Sequence, residues 1–353
     1  MTYPQELEQL IDAVTQEGAS DLHLTVGHKP TVRVSGNLIP LVNFAELKSE
    51  DTKGLLFSFL TEENQKRFME QKELDFSYTT KSGLRFRGNA FYQMGYMGVA
   101  LRLITAKIRS IADLNLPPIL EQITRRKQGF FLVVGPVGQG KSTSLAAMVN
   151  LINQERAEHI ITIEDPVEYI FPTGKSLIDQ REVRFDTTDF QSALKSMFRQ
   201  DVNVAMIGEM RNAETIATAV TAAETGHLIF STLHTNNAAQ TIDRIIDSFP
   251  GFQQPQIRVQ LAGSLIGVFS QRLLPRVSGG QVPAYELLLN NSAVSNLIRE
   301  GRTHEINIVL ETSSEAGMID MNHSIASLVR SGEINAEDAF RYTLDPEALQ
   351  RLL

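Results

Sequence analysis

The sequence predicts an α/β protein in which a larger parallel-sheet domain follows a smaller domain of helices and antiparallel strands. Three observations carry this. The chain has 353 residues, more than one ordinary core accommodates, which favours two domains. From Phe130 onward, short continuous apolar runs alternate with amphipathic helical patterns, as expected of strands buried on both faces of a parallel sheet. One of those runs, FFLVV at 130–134, leads directly into GPVGQGKS at 135–142, a glycine-rich turn opening a helix.

Residues 1–108 are read as the first domain. The segments DLHLTV (21–26), TVRVSG (31–36), ELDFSYTT (73–80), LRFRGNAFY (84–92) and VALRLI (99–104) alternate apolar with polar residues, the pattern of half-buried strands. One helix, SEDTKGLLFSFLTEENQKRFME (49–70), lies between them. The segment 109–119 contains LNLPP, whose paired prolines forbid continued helix, and is read as a linker. Residues 120–353 form the second domain. Its helix 141–154 places Leu145, Met148, Val149 and Ile152 on one stripe. The helix 188–200 does the same with Phe190, Ala193, Leu194, Met197 and Phe198, and the helix 213–225 with Ile216, Ala219, Val220 and Ala223. The C-terminal quarter, from about Phe252, reads as helical apart from VPAYELLL.

Composition narrows the function classes. Hydrophobic residues make up 42% and charged residues 21%, the balance of a globular rather than a disordered chain. A net charge of -8 provides no overall basic field for nucleic acid or anionic lipid. No apolar run reaches membrane-spanning length and the first residues are acidic and polar, so a cytoplasmic address without transmembrane segment or secretory signal is expected. Zero cysteines exclude disulfides, thiolate zinc sites and cysteine nucleophiles.

The run from Gly135 through Pro136, Val137, Gly138, Gln139, Gly140, Lys141 and Ser142 to Thr143 has the Walker A spacing. Glycines let backbone N–H groups converge on phosphate oxygens, and the helix N-terminus adds partial positive charge. Lys141 is expected at the β- and γ-phosphates of ATP or ADP, and Ser142 at Mg²⁺. The bland alternative is a glycine-rich turn that binds nothing. Three further apolar runs end in polar groups: HIITI before Glu164, Asp165 and Glu168, VAMIG before Glu209, and LIFSTL before His234. Right-handed crossovers in a parallel sheet bring all these ends to one edge. Glu209 stands where a Walker B acid belongs, as a water-mediated Mg²⁺ holder. Glu168 or Glu164 is the group that would polarise the attacking water, and Asp165 before proline reads as a turn residue. His227 and His234 flank one strand, and His234 is the better candidate for contact with the nucleotide or its acid partner.

These motifs resemble a known family, the secretion ATPases of type II secretion and type IV pili, and within it the pilus-retraction (PilT) branch. ITIEDPVEY resembles its Asp box, MIGEMR its Walker B with Glu in place of Asp, and TGHLIFSTLHT its His box; DRIIDSFP, SQRLLP, AYELLL, ASDLHL, ELDFS and RFRGNAF extend the match over nearly the whole chain. The resemblance implies a PAS-like N-terminal domain, a RecA-like ATPase domain with a helical C-terminal extension, and a homohexameric ring. It makes Glu168 the catalytic base, Glu209 the Walker B residue, and His227 and His234 the His-box pair. It also implies that nucleotide binds between the domains, clamping two lobes until hydrolysis. Arginines of the first domain would then reach the phosphates, with Arg85, Arg87 and Arg102 as candidates; an exposed charged strand face is the alternative for each.

The same resemblance implies an inner-membrane pilus platform protein and a paralogous retraction ATPase as partners, and a peripheral position at the inner face of the membrane; the acidic net charge and the absence of Trp speak against a nucleic-acid partner. The tetracysteine insertion usual in assembly ATPases is missing, and AVSNLIREGR (293–302) resembles the retraction-specific motif AIRNLIRE, with Ser295 where the motif has Arg. RQDVN (199–203) departs from the family's RxDPD. The implied activity is ATP hydrolysis driving pilus retraction. Alternatives are an accessory PilU-type paralogue, an assembly or secretion ATPase, a RecA-like nucleic-acid motor, and a nucleotide-regulated binding protein without turnover.

Overall fold

The structure, a computed structural model, describes residues 2–34, 36–104, 107–210 and 212–353. The chain divides into two compact units, Met1–Ala106 and Lys107–Leu353.

The first unit opens with helix α1 (Tyr3–Gln16), strands β1 (Asp21–Thr25), β2 (Thr31–Val34) and β3 (Asn37–Pro40), helices α2 (Ser49–Phe59) and α3 (Glu62–Gln71), and strands β4 (Glu73–Thr79), β5 (Arg85–Gln93) and β6 (Tyr96–Ile104). The strands form one antiparallel sheet in the order β3-β2-β1-β6-β5-β4. Leu7, Leu10 and Val14 of α1, Leu55, Leu56 and Phe59 of α2 and Phe68 of α3 pack on one face of it, against Leu22, Val32, Phe76, Phe86, Val99 and Leu101. Alternation sends Arg85, Arg87 and Arg102 to the other face, where Arg87 and Arg102 are cross-strand partners. The single helix expected over 49–70 is two. Leu60 is extended, and the Thr61 hydroxyl accepts the Asn64 N–H, a capping signal followed by two glutamates that starts a new helix. Strand β3 was not expected, because its residues are exposed and show no alternation.

The second unit begins at Lys107 and so takes in 109–119, expected as a linker. Ile111 and Leu116 in it are buried and pack with Leu120 and Ile123 of α4 (Ile119–Thr124) against the following sheet. Then come β7 (Gly129–Val134), α5 (Lys141–Glu155), β8 (His159–Glu164), β9 (Leu177–Glu182), α6 (Phe190–Met197), β10 (Val204–Ile207), α7 (Ala213–Glu224), β11 (Leu228–Leu233), α8 (Ala238–Asp247), α9 (Gln254–Ser264), β12 (Leu265–Pro275), β13 (Gln281–Leu289), α10 (Ser292–Glu300), α11 (Ile306–Thr312), α12 (Met321–Arg330), α13 (Ala336–Tyr342) and α14 (Pro346–Leu352). The sheet order is β13-β12-β7-β11-β10-β8-β9, all parallel except β13.

Both faces of this sheet are covered, which is why its strands read as unbroken apolar runs. Phe130, Leu132 and Val134 of β7 face the layer containing α6–α10, and Phe131 and Val133 face α4 and α5. The stripe Leu145, Met148, Val149 and Ile152 is fully buried, so truncating Leu145, Met148 or Ile152 to Ala would cost about 2–5 kcal/mol. Phe198, expected on the α6 stripe, is 41% exposed instead because the helix ends at Met197. The region from Phe252 is not all helix: LIGVFSQRLLP is the long strand β12, paired with β7 and β13. A fully buried strand lacks period-two alternation, so its pattern does not separate it from a buried helix. Helices α12–α14 pack on the outer part of this hairpin through Ile325, Ala339 and Leu349 against Leu274 and Val282.

Candidate active site

The site grows from the end of β7. Gly135 has φ 146°, and a Cβ there would lie 2.4 Å from the Gln271 carbonyl oxygen of β12, so only glycine lets the chain turn beside that strand. Gly140, at φ 76°, is the left-handed residue capping α5. The first turn of α5 holds no acidic side chain, leaving its N–H groups and dipole directed at an anion. The Lys141 ammonium lies across the loop and donates to the carbonyls of Gly135 and Pro136, each at 2.8 Å, and to His234 Nδ1 at 3.2 Å. Burial holds the Lys141 pKa below the ordinary lysine range, opposed by the negative charges of Glu209 and Glu168.

The strand ends β8, β10 and β11 bring the remaining groups to this edge. With Lys141 donating to Nδ1, the His234 proton sits on Nε2, which faces Glu209 Oε1 at 3.6 Å, just beyond hydrogen-bond distance. Lys141, His234 and Glu209 thus form a continuous row, with the Glu168 charge acting on the same ammonium.

The two Asp-box glutamates differ sharply. Glu164 is 5% exposed and accepts from Thr162 Oγ1 at 2.6 Å, Gln180 Nε2 at 3.4 Å and the Glu168 backbone N–H at 3.2 Å. Burial is the main cause that pushes its pKa up to about 7. Glu168 is exposed, so its carboxylate is the one open to solvent while Glu164 braces its backbone. Asp165 bonds Arg184 at 3.4 Å, in keeping with a turn residue. Thr143 Oγ1 and the Tyr169 hydroxyl, 2.7 Å apart, join the first turn of α5 to the Asp-box loop.

His227 does not join this group. It precedes β11 while His234 follows it, and seven residues of extended chain separate them by about 23 Å. Its Nδ1 lies 3.0 Å from the Ala222 carbonyl at the end of α7, and its ring packs edge-on against Phe198. Within the first unit, Arg102 donates to Asp21 at 2.8 Å, and Arg85 and Arg87 lie beside it on the same face. Ser142, in the first turn of α5, and Glu209 supply the hard oxygen donors that suit Mg²⁺, an ion that takes most of its ligands from phosphate and water. Among the described residues, no three His, Asp or Glu side chains cluster into a metal cage of their own. Sequence reasoning missed Tyr169, Thr162, Gln180 and Gln271 as site-builders. Thr162, Tyr169 and Gln271 lie inside quoted motifs, and only the fold shows what they touch.

The model of the family described as type II/IV secretion system protein matches residues 3–343. The chain is 39% identical over 342 residues to the type IV pilus retractation ATPase PilT of Pseudomonas aeruginosa, covering 97% of this chain and 99% of that protein. It is 39% identical over 338 residues to the type IV pilus ATPase PilU of the same organism, covering 96% and 88%. Among solved structures it is similar to that of the pilus retraction motor PilT with bound ADP, at a TM-score of 0.92 and 45% identity, covering 97% of this chain and 98% of that one.

Proposed function

The chain belongs to the type II/IV secretion system protein family, and from that premise we propose that it is an ATPase motor coupling ATP hydrolysis to type IV pilus retraction. The observation that carries the chemistry is the meeting of Lys141, His234 and Glu209 at the tip of the glycine loop, with Glu168 close enough to act on the same ammonium. The solved relative with bound ADP supports a nucleotide as the ligand.

In this reading the α5 N-terminus and Lys141 bind the β- and γ-phosphates, exchanging the carbonyl contacts of Lys141 for phosphate oxygens. Glu168 orients and deprotonates the attacking water, its position set by Glu164 through the Glu168 N–H. His234 stands between Lys141 and Glu209 and takes the γ-phosphate side. Ser142 and Glu209 would hold Mg²⁺, which when bound neutralises charge on the phosphate oxygens. Arg85, Arg87 and Arg102 are proposed to grip phosphate oxygens, a task that suits a planar, permanently charged fork.

The motor works as a homohexamer on an inner-membrane platform protein, from a peripheral position on the cytoplasmic side; no helix among the described residues is long and apolar enough to cross a membrane. A second reading, an accessory retraction ATPase of the PilU type, is favoured by Ser295. The residue lies in α10, where its hydroxyl is 3.0 Å from both the Ala262 carbonyl and Asn290 Oδ1, so it ties α10 to α9 and presents no cation. Deleting the gene and imaging pili tests the proposal: abundant static fibres are expected, and bald cells would instead indicate an assembly motor. Fibres that still retract, but weakly under load, would favour the accessory reading.

A further inference from the structure

Strand β12 joins the parallel part of the sheet to its antiparallel edge, with β7 on one side and β13 on the other. Ser270 is in register with Val134, the last residue before the glycine loop, so residues 270–273 run alongside that loop. Successive side chains of a strand leave opposite faces. Here each face grips a different loop of the site.

Gln271 leaves one face and is 3% exposed. Its amide nitrogen donates to the Gln139 carbonyl at 2.7 Å, and its amide oxygen accepts from Ser144 Oγ at 2.6 Å. Gln139 is in the loop and Ser144 is one turn into α5, so one side chain ties the two ends of the phosphate cradle. The Leu273 N–H adds a bond to Gln139 Oε1 at 2.7 Å. On the other face, Ser270 Oγ donates to the Asn236 carbonyl at 2.8 Å, and Arg272 reaches Asn236 Oδ1 at 3.4 Å while also donating to the Tyr342 carbonyl at the end of α13. Opposite Ser270 on β13, Glu286 is buried and accepts the Ala238 N–H at 2.7 Å. The gripped segment, 236–238, follows His234 by two residues.

We propose that β12 is a two-faced positioning strand, in which Gln271 holds the phosphate loop in its binding shape while Ser270 and Arg272, with Glu286, hold the loop that carries His234. None of these is a catalytic residue, and the two faces govern different steps. The inference rests on the ATPase reading above. Loss of Gln271 loosens the loop whose N–H groups would meet phosphate in ground and transition states alike, which weakens binding. Loss of Arg272 loosens the approach of His234 and lowers turnover.

The test compares Gln271→Met and Arg272→Met by calorimetric titration with ADP and by steady-state phosphate release. Gln271→Met is expected to weaken ADP binding on the order of tenfold, with a smaller effect on kcat. Arg272→Met is expected to keep the ADP Kd within about twofold and lower kcat on the order of tenfold, with partial recovery in Arg272→Lys. Should Gln271→Met fail to fold, Gln271→Asn, which shortens the reach by one methylene, is read the same way. The proposal is overturned if both variants shift Kd and kcat together, since β12 then only stabilises the fold, or if neither shifts anything. The unsubstituted chain, measured alongside, reports on the ATPase reading separately: binding and turnover there, without the split between variants, sinks this inference alone.

Discussion

Replacing Glu164 by glutamine should change how stability depends on pH. In the folded chain Glu164 keeps its proton up to about 7, because burial disfavours the charged form more than the Thr162, Glu168 N–H and Gln180 donors favour it; unfolded, it ionises near the ordinary 4.5. A native state that binds more protons than the unfolded one loses stability as pH rises through that window. The gap converts to about 3 kcal/mol in total, most of which accumulates between about pH 5 and about pH 8. Glutamine cannot ionise, so the difference in stability between variant and parent should grow in the variant's favour by that amount. Any fixed cost of the altered hydrogen bonds is independent of pH and cancels from the change. For a domain of this size the effect is a relative rise in Tm of roughly 5–10 °C across the range. Melting the full-length protein and the variant in matched buffers measures it. Parallel curves would refute the assignment of a buried, protonated carboxyl to Glu164.

Three further outcomes follow from the site. Lys141→Ala should lose nucleotide affinity by at least about tenfold, since the ammonium is the fixed cation nearest the loop; direct titration with ADP reads this. Tyr169→Phe removes the hydroxyl pair with Thr143 and should lower turnover a few-fold with little change in Tm, consistent with about 1 kcal/mol for one hydrogen bond. Glu286→Gln should show the same sign of pH dependence as Glu164→Gln, because Glu286 is buried with its pKa raised to about 7, mainly by burial; paired melts at acidic and alkaline pH check it.

The chemistry was legible where spacing and topology constrain it together. The loop at 135–142 announces itself because phosphate binding needs glycines, a lysine and a helix start at fixed intervals. Glu164, Glu209 and His234 could be placed beside it because all follow apolar runs, and parallel strands share one C-terminal edge. The same rule puts His227 at the opposite end of the strand, which it precedes rather than follows. Which Asp-box glutamate is exposed was not readable, since burial of Glu164 depends on Thr162 and Gln180 from two adjacent strands. Strand β12 escaped because a strand covered on both faces has no alternation to show. With it went Gln271, whose partners lie more than a hundred residues away in the chain.

The most direct measurement of the central claim is phosphate release by Glu168→Gln, with nucleotide binding measured on the same preparation. The account predicts that the variant binds ATP as the parent does and hydrolyses it on the order of 10²–10⁴-fold more slowly. Normal turnover in that variant would contradict it and pass the role of base to Glu164.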